Sequence, residues 1–512
     1  MPRYKPVNLQ QNAFVPISFE KQILPGTFEY ALHYLLDQID LSAFDAAYAN
    51  DKAGARAYHP KILLKIVLFA YSRGVLGSRR IEALCREHIV CMALSGERMP
   101  DHATIAAFIS RSPKAIRSVF HEVLLVCDQA GLIGRKMFAI DGVKLPSNAS
   151  KESSGTFDEL KNRADKFERA VARMLKAHAD EDTRPACQDL LAQQQQQMKT
   201  LQHHTTRIRD YLAKHQPKFG PKGKERKNKE RKSNITDPDS AKLATSKGVI
   251  QGYTGVAIAD ADHQIIVEAQ AHGVPQEQEL LQPILDDLRD NFQDLNLTDN
   301  ILKEAKLTAD AGYHSEANLA YLSEQGCDAY IADNLFRKRD PRFADADKYK
   351  PSKALPKRVT AKDFDYDPHA LSCTCPAGRS LYRNGANVTI KGRTGIKFTA
   401  PITACKDCAL RSRCLKDPQQ KTPRQVVFFH EPTPEHPNHC ARMKAKIDSA
   451  HGRGIYAYRL GTVEPVFGNI RHTKGMDRFT LRGKAKVNGQ FQLYCLVHNI
   501  EKLAHSDWAK AA

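Results

Sequence analysis

Apolar residues recur at helical spacing through the first part of the chain. Ile62, Leu63, Ile66, Val67 and Ala70 share one face, and Ile81, Leu84, Cys85 and Ile89 share the next. Residues 1–130 therefore read as a small all-helical domain. Asp101 stands where an N-cap belongs, ahead of an apolar-faced helix that carries Arg111. Short helices parted by turns suit helix-turn-helix DNA binding as well as plain packing.

The pattern then changes to short apolar runs ended by turn residues. A strand signal covers 136–141 and is interrupted at 151–235 by two long polar helices, 159–179 and 187–214, with a basic tail. Lys222, Lys224, Arg226, Lys227, Lys229, Arg231 and Lys232 can neutralise phosphates or simply remain solvated. Strand signals resume in GVIQGYTGVAIADADHQIIVEAQAHG, two β-rich runs around an Asp-rich turn, which predicts an antiparallel hairpin. Asp260 and Asp262 in that turn read as structural, because aspartate there bonds its own backbone. The chain then predicts a helix over 276–292, a strand before Asp310, a helix over 315–325 and a strand over 327–332. A mixed sheet flanked by helices is an α/β arrangement of the ribonuclease H-like kind. That fold occupies 131–512, with insertions at 151–235 and 335–450.

Charge narrows the partners. With 77 Lys and Arg against 58 Asp and Glu, the net charge of +19 favours a polyanion. A membrane is the weaker reading: the apolar stretch 62–71 is short and contains Lys65, and the first residues lack a signal-peptide core. The expectation is a cytoplasmic protein that binds nucleic acid.

Two aspartates stand out, Asp141 in KMFAIDG and Asp310 in KLTADAG, each closing an apolar run and followed by a turn signal. They read as strand-end carboxylates facing a crevice, where open α/β sheets place their sites. Glu464, in GTVEPVF, reads as opening a helix, with Thr462 as its N-cap and Pro465 in its first turn. Three hard carboxylates of this kind suit a pair of Mg²⁺ (or Mn²⁺) ions, which keep positions open for phosphate and water. Arg471, seven positions after Glu464, returns to nearly the same helix face and can reach a phosphate beside the metals; Lys474 extends that basic segment. Asp237 and Asp239, in TDPDS, position the next strand or touch the edge of the site.

Twelve cysteines are too sparse for a disulfide scaffold, but several cluster. Cys405 and Cys408 form a C-x2-C pair, Cys414 follows, and Cys375 lies upstream with Cys373 as a spare. Four thiolates can close a tetrahedral structural Zn²⁺ site, and the surrounding segment has few apolar residues with which to order itself.

On these segments taken in order, with GxxS-R-IE and PDHATIAAF, AIDGVKLPSNAS, SNITDPDS, TADAGYHS, CPAG with CKDC, YRLGTVEPVFGNIR and HNIEKL, the chain resembles a bacterial insertion-sequence transposase of the DDE class. The resemblance implies Asp141, Asp310 and Glu464 as the metal-binding triad. It also implies a tyrosine, Tyr456 or Tyr458, and Arg459 ahead of the glutamate, with Arg471 in place of the more usual lysine after it. The Arg459-to-Glu464 spacing is one residue longer than in some relatives. Binding of double-stranded DNA at the nucleoid, recognition of terminal inverted repeats, joining to target DNA, and assembly of a homodimer or larger complex are what the same resemblance implies. A domesticated DNA-binding protein and a metal-dependent nuclease that cuts without joining are the alternatives; an intact triad speaks against the first.

Overall fold

The computed structural model describes residues 16–48, 56–181, 188–219, 230–298, 300–343, 345, 358–390, 393–430 and 438–511. The basic tail residues Lys222, Lys224, Arg226, Lys227 and Lys229 lie outside them. The chain forms two compact units, one made of Met1–Phe336 with Met443–Ala512 and the other of Arg337–Arg442.

The first unit begins with helices α1 (Phe28–Gln38), α2 (Pro60–Ser72), α3 (Ser78–Glu87), α4 (Ile89–Ser95), α5 (His102–Arg111) and α6 (Pro113–Gln129). Their boundaries follow local chemistry. Pro60 starts α2 where no N–H is needed. Asp101 caps α5 by accepting from the Thr104 N–H at 2.6 Å, as its position predicts. Most of the predicted faces are buried: Leu63, Ile66, Val67, Ala70, Ile81 and Cys85 are at most 2% exposed, whereas Ile62 and Leu84 are half-buried and Ile89 is exposed.

Six strands follow: β1 (Met137–Pro146), β2 (Ala241–Thr245), β3 (Gly248–Asp260), β4 (Ile266–His272), β5 (Lys306–Ala309) and β6 (Asp328–Ile331). They form one sheet in the order β6-β5-β1-β3, with β4 and β2 both paired to β3. Strands β1, β3 and β4 pair antiparallel as the predicted hairpin requires, whereas β5 and β6 run parallel to β1. An antiparallel meander continued by two parallel strands is the ribonuclease H-like topology expected above. Helices α7 (Phe157–Glu181) and α8 (Gln188–Lys214) leave after β1 as an antiparallel hairpin closed by Leu160, Ala164, Ile208 and Tyr211.

Helix α9 (Leu281–Asp294) covers one sheet face, its Phe292 ring meeting Phe138 edge-on at 6.3 Å. After α10 (Glu316–Glu324) and β6 the chain returns as α11 (Ala450–Gly468), which packs on β1, β3, β5 and β6. Phe138 and Asp141 are three residues apart on β1 and so face opposite ways. Asp141 thereby looks toward α11 rather than toward α9. The last long helix, α12 (Lys484–Ala504), packs against α1, α2, α5, α6 and β4. Asp237 and Asp239 hold its start: they accept from the Gly483 and Lys484 N–H groups at 3.1 and 2.9 Å. Neither edges the site.

The second unit is a sheet of β7 (Asp365–Asp367), β8 (Ser372–Thr374), β9 (Ser380–Arg383), β10 (Val388–Ile390), β11 (Arg393–Thr399) and β12 (Gln425–Phe429). Contrary to the expectation of a segment too polar to order itself, it has its own core of Phe364, Cys373, Leu381, Phe398 and Val426, among others. The alternation of apolar residues along very short strands supplies that core.

Candidate functional site

Register brings the two aspartates together. The parallel pairing of β1 with β5 ends at Ile140 opposite Ala309, so Asp141 and Asp310 are the next residues on neighbouring strands. The strand, however, does not end at Asp141 as the Asp-Gly pair predicts. It continues to Pro146, paired with β3, and Asp141 stands opposite Ala257. Gly142 is tolerated mid-strand because a Cβ there would approach the Thr254 methyl at 3.3 Å and the Tyr313 hydroxyl at 3.4 Å. Asp310 does terminate its strand, and its carboxylate caps the turn Ala311–Tyr313 by accepting from the Gly312 N–H.

Asp141 accepts from Gly142 N–H at 2.8 Å and from the Arg459 guanidinium at 3.1 Å. Burial pushes its carboxyl above the usual aspartate range; Arg459 opposes that rise, and the nearby Asp310 charge adds to it. Arg459 lies on α11, three residues after Tyr456, and its guanidinium stands 5.8 Å from that ring. Burial raises the Tyr456 phenol, with Asp310 and Asp141 among the further causes, whereas Tyr458 is 67% exposed. The tyrosine facing the carboxylates is therefore Tyr456, which also packs edge-on against Phe336.

Glu464 does not open a helix. It lies near the end of α11, whose N-cap is Ser449, and Thr462 bonds back to the Tyr458 carbonyl at 2.9 Å instead of capping. Pro465 is accommodated inside the helix because the Gly461 carbonyl it cannot serve accepts from the Gln264 amide at 2.9 Å. Glu464 is exposed and lines, with Asp141, Gly142, Phe467, Arg471 and His472, an open groove of about 280 Å³. Arg471 sits in a π-turn, Asn469–Thr473, that follows α11 directly.

Lys474 does not belong with these groups. It is 4% exposed, with its ammonium on the Glu501 carboxylate and the Ser72 carbonyl, so it is a packing residue and not a phosphate contact. Two residues that sequence reasoning did not single out do belong. The Tyr313 hydroxyl is buried without a hydrogen-bond partner, and burial first, then Glu277, Asp141 and Asp310, raises it well above its ordinary value. Glu277 pairs with Lys144 at 3.0 Å, and its carboxylate and that of Asp310 both border the space above Gly312. The tyrosine of DAGYHS was visible as a neighbour of Asp310; nothing local marks Glu277.

In the second unit Cys375, Cys405, Cys408 and Cys414 line a common cavity of about 30 Å³. The Cys414 thiol is raised by burial, against Arg424, and further by Cys405, Cys408 and Cys375. Cys373 is excluded, since it faces the sheet core opposite Leu381. Among the described residues no three His, Cys, Asp or Glu side chains stand close enough together to hold a metal ion. No helix among them is long and apolar enough to cross a membrane.

A transposase DDE domain matches residues 374–504, a span that includes Arg459, Glu464, Arg471 and all four clustered cysteines. A second transposase domain, DUF772, matches residues 17–111, the helices α1 to α5. None of the curated proteins matches the chain. Two transposase-domain matches in one chain, on either side of a ribonuclease H-like sheet, support an insertion-sequence DDE transposase.

Proposed function

We propose that the protein binds the terminal inverted repeats of its element and carries out Mg²⁺-dependent cleavage and strand transfer of DNA, with Asp141, Asp310 and Glu464 as the metal-binding triad. The observation that carries this reading is the register that sets Asp141 beside Asp310 at the end of a parallel strand pair, with Glu464 and Arg471 in the same groove as Asp141. An all-carboxylate donor set fits Mg²⁺ or Mn²⁺, and the raised Asp141 carboxyl is what a cation would relieve. Asp141, Asp310 and Glu464 would hold the ions, which supply Lewis-acid charge to phosphoryl transfer.

The chain's own groups do the rest. The Gly142 and Gly312 N–H groups fix one oxygen of each aspartate; the second oxygen of Asp310 remains for ligation, and that of Asp141 is the one Arg459 holds. Arg459 neutralises Asp141 while no cation does so. Arg471 offers a guanidinium at the groove, suited to a phosphate by its planar donors. Joining two element ends needs at least two active sites, so a dimer or larger assembly on DNA belongs to this proposal. Cys375, Cys405, Cys408 and Cys414 would hold a structural Zn²⁺, four thiolates leaving no open position for catalysis.

The test uses purified protein and a duplex of the gene's own flanking DNA. Asp310→Asn should lower cleavage and joining about 100-fold or more, several kcal/mol at about 1.4 kcal/mol per factor of ten, while duplex binding is retained. Full activity in the variant overturns the triad. Cleavage without joined products in the wild type makes the protein a nuclease instead.

A further inference from the structure

We propose that the groove between α7 and the strands at its base is a phosphate-backbone clamp for the DNA duplex flanking the reacting phosphate, an inference that rests on the transposase reading. The groove encloses about 690 Å³ and is lined by Lys151, Arg163, Lys166, Lys232 and Lys242 against only Glu152 and Glu159. Five cations and two carboxylates leave three positive charges. One carboxylate is already committed: Glu159 pairs with Lys232 at 2.7 Å. Arg163 is anchored by donating to the Glu152 and Ser154 carbonyls, at 2.7 and 3.4 Å.

The floor is built rather than incidental. The buried Ser154 hydroxyl donates to Gln251 and accepts from the Asn234 amide, both at 2.9 Å, and Gln251 in turn donates to Ser240 at 2.7 Å. This chain ties the start of the α-helical hairpin to β3, so the cations are fixed relative to the catalytic sheet. Register gives the spacing. Lys242 lies opposite Gln251, and Asp141 opposite Ala257, on the same strand. Those six residues of extended chain span about 20 Å. Along one DNA strand, with a phosphate every ~3.4 Å, that corresponds to roughly six nucleotides from the reacting phosphate. A groove of this charge at this distance suits a continuous polyanion that passes through the site better than it suits a small anion.

Lys151→Ala, Lys166→Ala and Lys242→Ala are combined and compared with wild type on the flanking duplex across a salt series. Each phosphate contact contributes about one unit to the slope of log K against log salt, so the variant's slope should be shallower by about 2 to 3. Removing three exposed lysines of the second unit, Lys362, Lys416 and Lys421, is the charge-matched control and should leave the slope nearly unchanged. A triple variant with wild-type slope, or a control that falls equally, overturns the clamp while cleavage by the wild type keeps the transposase reading. Wild type that neither binds nor cleaves the duplex removes both. Unchanged thermal melting of the triple variant excludes misfolding as the cause of a shallower slope.

Discussion

Asp141 carries two opposed influences at once: burial favours its neutral form, and a guanidinium at 3.1 Å favours its charge. Desolvation acts without such a partner on Glu268, 1% exposed on β4, whose carboxyl is pushed up to about 7; burial is the leading cause, and Arg117 opposes it. The sign is set by the raised value. Between its unfolded value of 4.5 and about 7 the folded state holds a proton that the unfolded state has lost, so stability falls as pH rises, by at most ~1.4 kcal/mol per unit. Glu268→Gln should remove that slope, so that between pH 5 and 7 wild type loses about 2 kcal/mol relative to the variant in denaturant titrations. Parallel curves would mean that Glu268 is ionised in the fold. At this scale the sequence was partly legible. Asp141 and Asp310 stand out because a polar residue breaks an apolar run, but Glu277 is set by Lys144 and the burial of Lys474 by Glu501 and Ser72, the last 402 residues away, with no local mark of either.

Helix α11 shows how a sound local rule fails. Thr-x-Glu-Pro carries the signals of a helix start, a capping hydroxyl and a proline in the first turn. Each signal is overridden differently: Gln264, from outside the helix, takes over the Gly461 carbonyl that Pro465 leaves unserved, and the Thr462 hydroxyl bonds back to the Tyr458 carbonyl of its own helix. The start lies at Ser449, whose hydroxyl accepts from the Gly452 N–H at 3.0 Å. The cysteine segment shows the converse, because its strands are three to seven residues long and their core is visible only once they are paired. Its sheet and its thiols therefore make separate contributions to order. Cys405→Ser should lower the bound zinc of the purified protein and raise protease cleavage within 337–442. Phe364, Phe398 and Val426 still give the second unit its own core, and the first unit is a separate compact unit whose melting should stay unchanged. Metal content equal to wild type would remove the zinc assignment.

On the scale of the whole molecule, α12 joins what the sequence presents as separate regions. The strands and helices were legible one by one from periodicity, but the packing of α12 against α1, α2, α5 and α6 and against β4 follows from pairings across most of the chain. Among the described residues strand β4 is paired only with β3, so its other edge presents backbone groups without a strand partner there. Side chains of α12 serve that edge. Asn499 accepts from the Ile266 N–H at 2.8 Å and donates to its carbonyl at 2.9 Å, and Asn488 accepts from the Ala271 N–H at 2.6 Å. A helix that closes a sheet edge in this way does so with two amides in place of a further strand, and both amides are needed because water cannot reach the groups they serve. Asn499 is fully buried, and Leu has nearly its shape but neither its donor nor its acceptor. Asn499→Leu should therefore leave both Ile266 groups without partners, at about 1 to 3 kcal/mol each, and lower the stability of the first unit by about 2 to 5 kcal/mol in denaturant titration. Asn499→Asp keeps the acceptor and should cost less at a pH where the carboxyl is protonated, since the acid then restores a donor as well. A leucine variant as stable as wild type would show that the edge of β4 does not depend on α12. The sheet that sets Asp141 beside Asp310 would then hold its register through β1, β3 and β5 alone.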